Sequence, residues 1–224
     1  MKRKEKKVQS MRMSPLDSVR PLGTKARNIL LLVTDYQIYQ DFAEWVIMSV
    51  KAEGQPILHV MFDDRISPII EGSEGILEVL DIAHVCGCEN EIEMTKKTLD
   101  ALSRMEGYHR IFFDPLSPFS QLFSEDSAPV HILKELAPFL ERRKTLAYFC
   151  MAMDSHKNDT IAQSKDVVDV CLQVTRQDEA ILVQPIKARG IYTRDFFLPR
   201  VYKSWPITEK AKLVSAFNHT MKQL

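Results

Sequence analysis

Polar side chains that could bind a metal ion or act on a substrate follow short apolar runs in this 224-residue chain. Carboxylates hold magnesium or polarise a water molecule, and a serine beside a histidine suggests nucleophilic chemistry. No G-x-S-x-G motif is present, however, and adjacent residues at one strand end cannot form a catalytic triad by themselves. We therefore expect His156 to be a surface loop histidine. The candidates are Thr34 and Asp35, Asp63 and Asp64, Asp114, and Asp154, Ser155 and His156.

The elements that must position these residues are short apolar strands alternating with amphipathic helices. This alternation predicts βαβ units and a mainly parallel sheet with helices on both faces. Ligands of such sheets bind at the carboxyl ends of the strands, where the candidates stand. The predicted strands span residues 28–34, 57–62, 75–80, 110–113 and 145–153, followed by a terminal pair at 166–174 and 180–186. The predicted helices span residues 39–53, 93–105, 129–143 and 209–224.

The composition is that of an ordinary globular protein. Hydrophobic residues make up 45% of the chain, and 30 basic residues balance 30 acidic ones. This balance argues against a generally basic nucleic-acid coat and against a disordered acidic tail. No apolar run approaches the roughly 20 residues that a bilayer span needs, and no apolar segment of a secretory signal follows the basic N-terminus. The sequence predicts a soluble, cytoplasmic protein without membrane contact.

Charge is nevertheless distributed unevenly along the chain. Residues 1–28 contain nine Lys or Arg and two acids, whereas residues 66–95 contain seven acids and no Lys or Arg. We expect residues 1–27 to form a flexible basic leader and residues 28–224 to form a single domain. The leader is either a solubilising segment or an arm for nucleic acid, anionic lipid or an acidic partner. It could also lie on the acidic segment of its own or a neighbouring subunit.

The positions of the four cysteines do not predict a complete metal site. Cys150 and Cys171 fall within apolar runs and are expected to be small buried hydrophobes. His84, Cys86 and Cys88 could begin a metal site, but no second Cys or His cluster supplies a fourth ligand at the usual zinc spacing. A reduced surface turn is therefore the expected state of the Cys-Gly-Cys segment.

Four segments end in polar or basic residues: VMFDD (60–64), RIFFDPLSPF (110–119), TLAYFCMAMDSHKN (145–158), and VVDVCLQVTR (167–176) with ILVQPIKARG (181–190). Taken in this order, they resemble the core of the RecA-superfamily ATPases, in particular the KaiC-like and RadA-related branch. The resemblance covers about residues 28–200. It implies a three-layer RecA-like P-loop NTPase fold with a mainly parallel twisted sheet and a C-terminal hairpin and helix.

The resemblance also implies roles for five residues. Asp63 and Asp64 stand where the family has an acidic pair that polarises the attacking water. Asp114 stands at the Walker B position, where it would bind Mg²⁺ with ATP. Lys187 and Arg189 match a basic pair that reaches toward a phosphate in the neighbouring subunit, and arginine can bind phosphate in a bidentate manner.

The sequence departs from the family at the phosphate-binding loop. The motif G-x-x-x-x-G-K-[ST] should follow the first strand, because its backbone N–H groups and its lysine hold the phosphates. Residues 33–45 read VTDYQIYQDFAEW and contain no Gly and no Lys. Asp35 and Asp41 would repel a polyphosphate, and no Ser or Thr near Gln40 could bind Mg²⁺. This degenerate Walker A predicts that ordinary ATP binding and hydrolysis are lost.

Two functions follow from this pattern. The first is a non-hydrolysing regulatory or signalling module, without a cofactor, that binds a protein partner or forms a homo-oligomer through the former nucleotide face. The alternative is a RecA-like ATPase that still binds ATP and magnesium through a non-standard phosphate loop, with the five residues named above. An unrelated doubly wound enzyme or binding protein could also imitate the pattern.

A nucleic-acid role is a further alternative. Aromatic and basic residues alternate over residues 189–205, a pattern that would suit stacking on a single strand. The simpler interpretation is a C-terminal arm that packs its rings on the domain or on a neighbour.

Overall fold

The computed structural model describes residues 28–51, 55–62, 77–82, 87–177, 180–188 and 196–199. At residues 48–51 and 196–199 it describes the backbone only. The strands in this part of the chain are β1 (Asn28–Val33), β2 (Ile57–Met61), β3 (Leu77–Asp81), β4 (Arg110–Phe113), β5 (Leu146–Ala152), β6 (Val170–Gln177), β7 (Ala180–Ala188) and β8 (Phe196–Pro199). The helices are α1 (Tyr36–Lys51), α2 (Glu91–Ser103), α3 (Pro118–Leu122), α4 (Ala128–Arg142) and α5 (Asn158–Val167). A single 3-10 turn, Met153–Ser155, follows β5.

These strands form one sheet in the order β3-β2-β4-β5-β1-β6-β7-β8. Strands β1 to β6 pair in parallel, and β7 runs antiparallel to both β6 and β8. The prediction of a mainly parallel sheet is confirmed. The terminal pair is also present, but its first strand begins at Val170 because residues 158–167 form α5, a helix that the sequence pattern did not predict.

Helices cover both faces of the sheet, and the side chains of β1 show why. Every residue of β1 is buried. Ile29, Leu31 and Val33 join the apolar cluster that α1 completes. Leu30 and Leu32 point to the opposite face and join the cluster that contains residues of α2, α3 and α4. A strand buried on both faces reads as a continuous apolar run, as β1 does.

Aromatic rings bind β4 to β5 on both faces of the sheet. Phe112 stacks on Tyr148 with ring centroids 4.5 Å apart, and Phe113 stacks on Phe149 at 4.6 Å. All four side chains are buried, and stacked pairs at this spacing add to the free energy gained by burial. The stacks hold together β4 and β5, the two strands that four of the eight candidate residues follow.

Several predictions from the sequence lie outside the described residues: the basic leader, the helix at 209–224, half of the acidic segment (residues 66–76 and 83–86) and the aromatic tail apart from β8. None of the helices in the described part of the chain combines the length and apolar character that a membrane span needs.

We predict that Phe149→Ala lowers the free energy of unfolding by about 3–5 kcal/mol, because it removes a stacked ring from a fully buried site and leaves a cavity. Urea denaturation followed by circular dichroism measures the loss. Ile92→Ala is the control, since Ile92 is 72% exposed and its truncation should change stability by about 0.5 kcal/mol or less. Equal losses in the two variants would contradict this packing.

Candidate functional site

The carboxyl ends of β1, β2, β4 and β5 lie along one edge of the sheet. Val33 of β1 is in register with Ala152 of β5, and Val60 of β2 is in register with Phe113 of β4. The residues that follow these strands therefore share one edge. Thr34, Asp35, Asp114 and the segment 153–156 stand there, whereas Asp63 and Asp64 lie outside the described residues.

The turn between β1 and α1 contains only two residues, Thr34 and Asp35. The Asp35 carboxylate oxygen Oδ1 accepts a hydrogen bond of 3.0 Å from the backbone N–H of Ile38 in the first turn of α1. This is the bond of an N-cap residue, and its negative charge offsets the positive end of the helix dipole. It also explains why α1 begins at Tyr36, three residues before the predicted helix start.

Tyr39 fills the space between α1 and the end of β4. Its side chain is buried, and its hydroxyl donates a hydrogen bond of 2.7 Å to the carbonyl oxygen of Phe113. Burial raises the pKa of Tyr39 well above its ordinary value, and the nearby Cys150 thiol and Asp114 carboxylate raise it further. The phenol therefore stays protonated and acts as a donor at neutral pH.

Asp114 is bonded to β2. Its Oδ1 lies 2.7 Å from His59 Nε2, and its Oδ2 accepts a hydrogen bond of 3.0 Å from the backbone N–H of Phe62. The side chains of Asp114 and His59 are 1% and 0% exposed. The carboxylate ties the end of β4 to the end of β2.

His59 is a site residue that sequence reasoning missed. It is the one polar residue within the apolar strand ILHVM, and that isolated position was the available signal. Its Nε2 faces Asp114, whereas its buried Nδ1 has no hydrogen-bond partner among the described residues. Because a carboxylate oxygen accepts hydrogen bonds, the geometry makes His59 Nε2 the donor of this bond.

The prediction that His156 is a surface histidine is wrong. Its side chain is 0% exposed. His156 Nε2 lies 2.8 Å from Ser117 Oγ, and its Nδ1 lies 3.0 Å from Asp126 Oδ1. Ser117 follows β4 and Asp126 precedes α4, so the three residues meet only because β4 and β5 are neighbours in the sheet. The adjacent residues Asp154 and Ser155, which the sequence singled out, are exposed.

Further bonds hold this group in place. Asp126 Oδ2 accepts from the hydroxyl of Thr160 and, at 3.2 Å, from the backbone N–H of Lys157. Burial raises the pKa of the Asp126 carboxyl, but the bonds from Thr160, His156 and Lys157 outweigh burial and lower it overall. Ser117 Oγ accepts from the backbone N–H of Ala152 at 2.8 Å. Burial raises the pKa of Tyr36, and the nearby Ser117 side chain lowers it in part.

Lys187 lies at the opposite edge of the sheet. Its partner in β6 is Cys171, near the point where Ile29 of β1 pairs with Val170. About four residues of β1, or roughly 13 Å, separate that level from the carboxyl edge. Lys187 Nζ donates to the carbonyl oxygens of Lys165, Asp166 and Val168 at the end of α5. These bonds use all three donors of the ammonium group.

The other predicted basic residue, Arg189, lies outside the described residues. Within one chain, then, Lys187 and Asp114 are not brought together, and only a second copy could bring Lys187 to this edge.

The cysteines and metal-ligating residues of the described chain do not form a metal centre. Cys150 and Cys171 are buried, as predicted, and Cys88 is partly exposed. Burial raises the pKa of Cys171 to about 12, so this thiol is protonated and unreactive at neutral pH. No group of three or more His, Cys, Asp or Glu side chains within the described ranges could hold a metal ion. His84 and Cys86 lie outside these ranges.

Comparison with solved structures identifies the fold. A KaiC-like protein from the hyperthermophilic archaeon Pyrococcus horikoshii OT3 superposes with a TM-score of 0.57, over 81% of this chain and 94% of that one. The chain has a RecA-like P-loop NTPase fold. The two sequences are 13% identical, so the likeness is one of fold. No protein-family model and no curated protein sequence matches the chain.

We predict that Asp114→Ala lowers the free energy of unfolding by about 3 kcal/mol or more, because it leaves His59 and the Phe62 N–H buried without their acceptor. Asp114→Asn, which keeps an acceptor oxygen, should lose less. Urea denaturation of both variants checks the order. Asp154→Ala, at an exposed aspartate of the same edge, is the control and should be nearly neutral. An equally small loss for Asp114→Ala would show that the carboxylate does not tie β4 to β2.

We also predict that Asp126 contributes to stability in a pH-dependent way. Its folded pKa lies below the unfolded value of about 3.9, so its contribution is fully present above that value and is lost as the pH falls through the folded pKa. Denaturation series between pH 7 and pH 2.5 should show a steeper acid loss for the natural chain than for Asp126→Asn. Parallel curves would refute the assignment.

Proposed function

We propose that this chain is a RecA-like protein that does not hydrolyse ATP and that acts as a regulatory or signalling module through protein–protein interaction. The observation that carries the proposal is the start of α1, where the chain's own Asp35 carboxylate caps the helix. In a P-loop protein this is the place where backbone N–H groups receive phosphate.

The turn before α1 supports the proposal by its length and its chemistry. Two residues, both with side chains, leave no glycine-rich segment to wrap around a phosphate group. The Asp35 carboxylate already accepts the Ile38 N–H, and a triphosphate brought to this point would meet a like charge. Tyr39 adds bulk directly behind it, between α1 and β4.

The bonds of Asp114 support the same conclusion for magnesium. A Walker B aspartate binds Mg²⁺, usually through a water molecule, with a carboxylate oxygen that faces the nucleotide. Here Oδ1 pairs with His59 and Oδ2 with the Phe62 N–H, in a site that is 1% exposed. Magnesium binding would break a buried hydrogen bond, and we therefore propose no nucleotide or metal cofactor at this position.

The carboxyl edge remains the proposed surface for a partner or for a second copy of the chain. Thr34, Asp35, Asp154 and Ser155 are exposed around the closed turn. The two carboxylates favour a partner surface that carries basic residues.

The test is thermal unfolding of the full chain with and without Mg²⁺ and ATP, together with its mass in solution by light scattering. A ligand that binds only the folded state stabilises it by about 2.7 kcal/mol at 100 times its Kd. We expect no change in Tm with ATP, ADP or GTP, and a defined oligomer or a captured partner complex. A Tm increase with Mg²⁺-ATP that Asp114→Ala removes would overturn the proposal. It would instead support a nucleotide-binding protein with a non-standard phosphate loop.

A further inference from the structure

The contacts of Ser117 bear on catalysis, independently of the proposed protein–protein interaction. A serine hydroxyl, an imidazole and a carboxylate stand in line: Ser117 Oγ to His156 Nε2 at 2.8 Å, and His156 Nδ1 to Asp126 Oδ1 at 3.0 Å. A nucleophile, a base within hydrogen-bonding reach and a third group that orients the base are the parts of an activated serine. The order and distances of the three groups are those of such a triad.

The proton positions follow from the partners. Asp126 has a lowered pKa and is ionised at neutral pH, so it accepts the proton of His156 Nδ1. His156 Nε2 is then the acceptor that faces the Ser117 hydroxyl. Ser120 Oγ, at 3.3 Å from His156 Nδ1, shares the same proton and leaves Nε2 free for Ser117. Asp126 is itself fixed by Thr160 and by the Lys157 N–H.

The backbone position of Ser117 is similar to that of nucleophilic serines that lie between a strand and a helix. Ser117 lies between a parallel strand, β4, and a short helix, α3, at the carboxyl edge of the sheet. The residue that follows it is Pro118, which has no N–H to stabilise an oxyanion. The Tyr36 side chain lies close enough to Ser117 for that serine to lower its pKa, so its hydroxyl is the donor that we assign to the oxyanion, since tyrosine hydroxyls serve in oxyanion sites.

We propose that Ser117, His156 and Asp126 form a nucleophilic triad, with Tyr36 as the oxyanion donor, that acts on small uncharged carboxylic esters. Asp126 and Asp114 place negative charge near this edge and disfavour anionic substrates. Ser117 is 4% exposed and Tyr36 is half-buried, and the proposal requires the ester to approach Ser117 beside the Tyr36 ring. Burial raises the pKa of Tyr36, which keeps its hydroxyl protonated.

The reaction is balanced without a cofactor. The Ser117 proton passes to His156 Nε2 as Oγ bonds to the ester carbonyl carbon, while the Tyr36 hydroxyl donates a hydrogen bond to the oxygen that gains the electron pair. Collapse breaks the bond to the alcohol, which leaves with the proton of His156. Water then attacks the acyl-serine, its proton passing through His156 to Ser117, and the acid is released. The sum is ester and water to acid and alcohol.

The experiment uses the full chain and an uncharged alkyl fluorophosphonate, which transfers its phosphonyl group to an activated serine and releases fluoride. Peptide mass spectrometry locates the adduct. We expect labelling at Ser117, no labelling of Ser117→Ala, and a rate at least about 100-fold lower for His156→Gln. Ser103→Ala, at an exposed serine on α2, is the control and should label as the natural chain does.

Turnover of p-nitrophenyl acetate separates a triad from a structural hydrogen-bond group. Tyr36→Phe should lower kcat about 100-fold, the usual effect of losing one oxyanion donor, with little change in melting temperature. If Ser117→Ala fails to fold, Ser117→Cys tests the same point, because its thiol should react with iodoacetamide at a rate that depends on His156. A folded chain that is not labelled at Ser117, or labelling that His156→Gln leaves unchanged, would overturn the proposal.

Discussion

The hydrogen bond between Asp114 and His59 is the interaction on which this edge of the molecule depends. It joins β4 to β2 at the point where both strands end, and it does so with two side chains that are essentially out of contact with water. A buried carboxylate is costly unless it is fully bonded, so its second oxygen takes the Phe62 N–H. Both carboxylate oxygens of Asp114 are thus hydrogen-bonded. Tyr39 of α1 and Cys150 of β5, both buried, lie next to this carboxylate.

The hydrogen bonds of Asp35 and Asp114 bear on nucleotide binding. In a RecA-like fold the ends of β1 and β4 face each other across the place where a nucleotide phosphate and its metal would bind. In this chain the Asp35 cap of α1 and the paired Asp114 lie at these two strand ends. Thr34, Asp154 and Ser155 are exposed at the same edge, and Tyr36 is half-buried. We propose that the edge binds a partner in place of a nucleotide.

Much of the fold could be predicted from the sequence, because strands buried on both faces leave a continuous apolar run. This holds for β1, β2, β4 and β5, each found within one or two residues of its predicted bounds. The helix α5 was missed because its sequence, NDTIAQSKDV, has few apolar residues and buries only Thr160 and Ser164. The start of α1 was placed too late because the capping role of Asp35 was not recognised.

The site could be predicted only in part. Asp114 follows an apolar strand and is visible as a candidate in the sequence, but its partner His59 lies 55 residues earlier within a strand. His156 was assigned to the surface because nothing local marks its burial. Its partners Ser117 and Asp126 are 39 and 30 residues away and reach it through the pairing of β4 with β5. Side-chain partnerships of this kind depend on strand order, which local sequence patterns do not encode.

The most direct test of this account is a long-range proton–nitrogen NMR spectrum of the histidine side chains, with the His59 signals assigned through His59→Gln. The account predicts a proton on His59 Nε2, and nitrogen shifts that stay unchanged when Mg²⁺ and ATP are added together. A shift of the Nε2 signal with Mg²⁺-ATP, but not with Mg²⁺ alone, would contradict the account. Such a shift would mean that Asp114 breaks its hydrogen bond to His59 and binds the Mg²⁺-nucleotide complex instead.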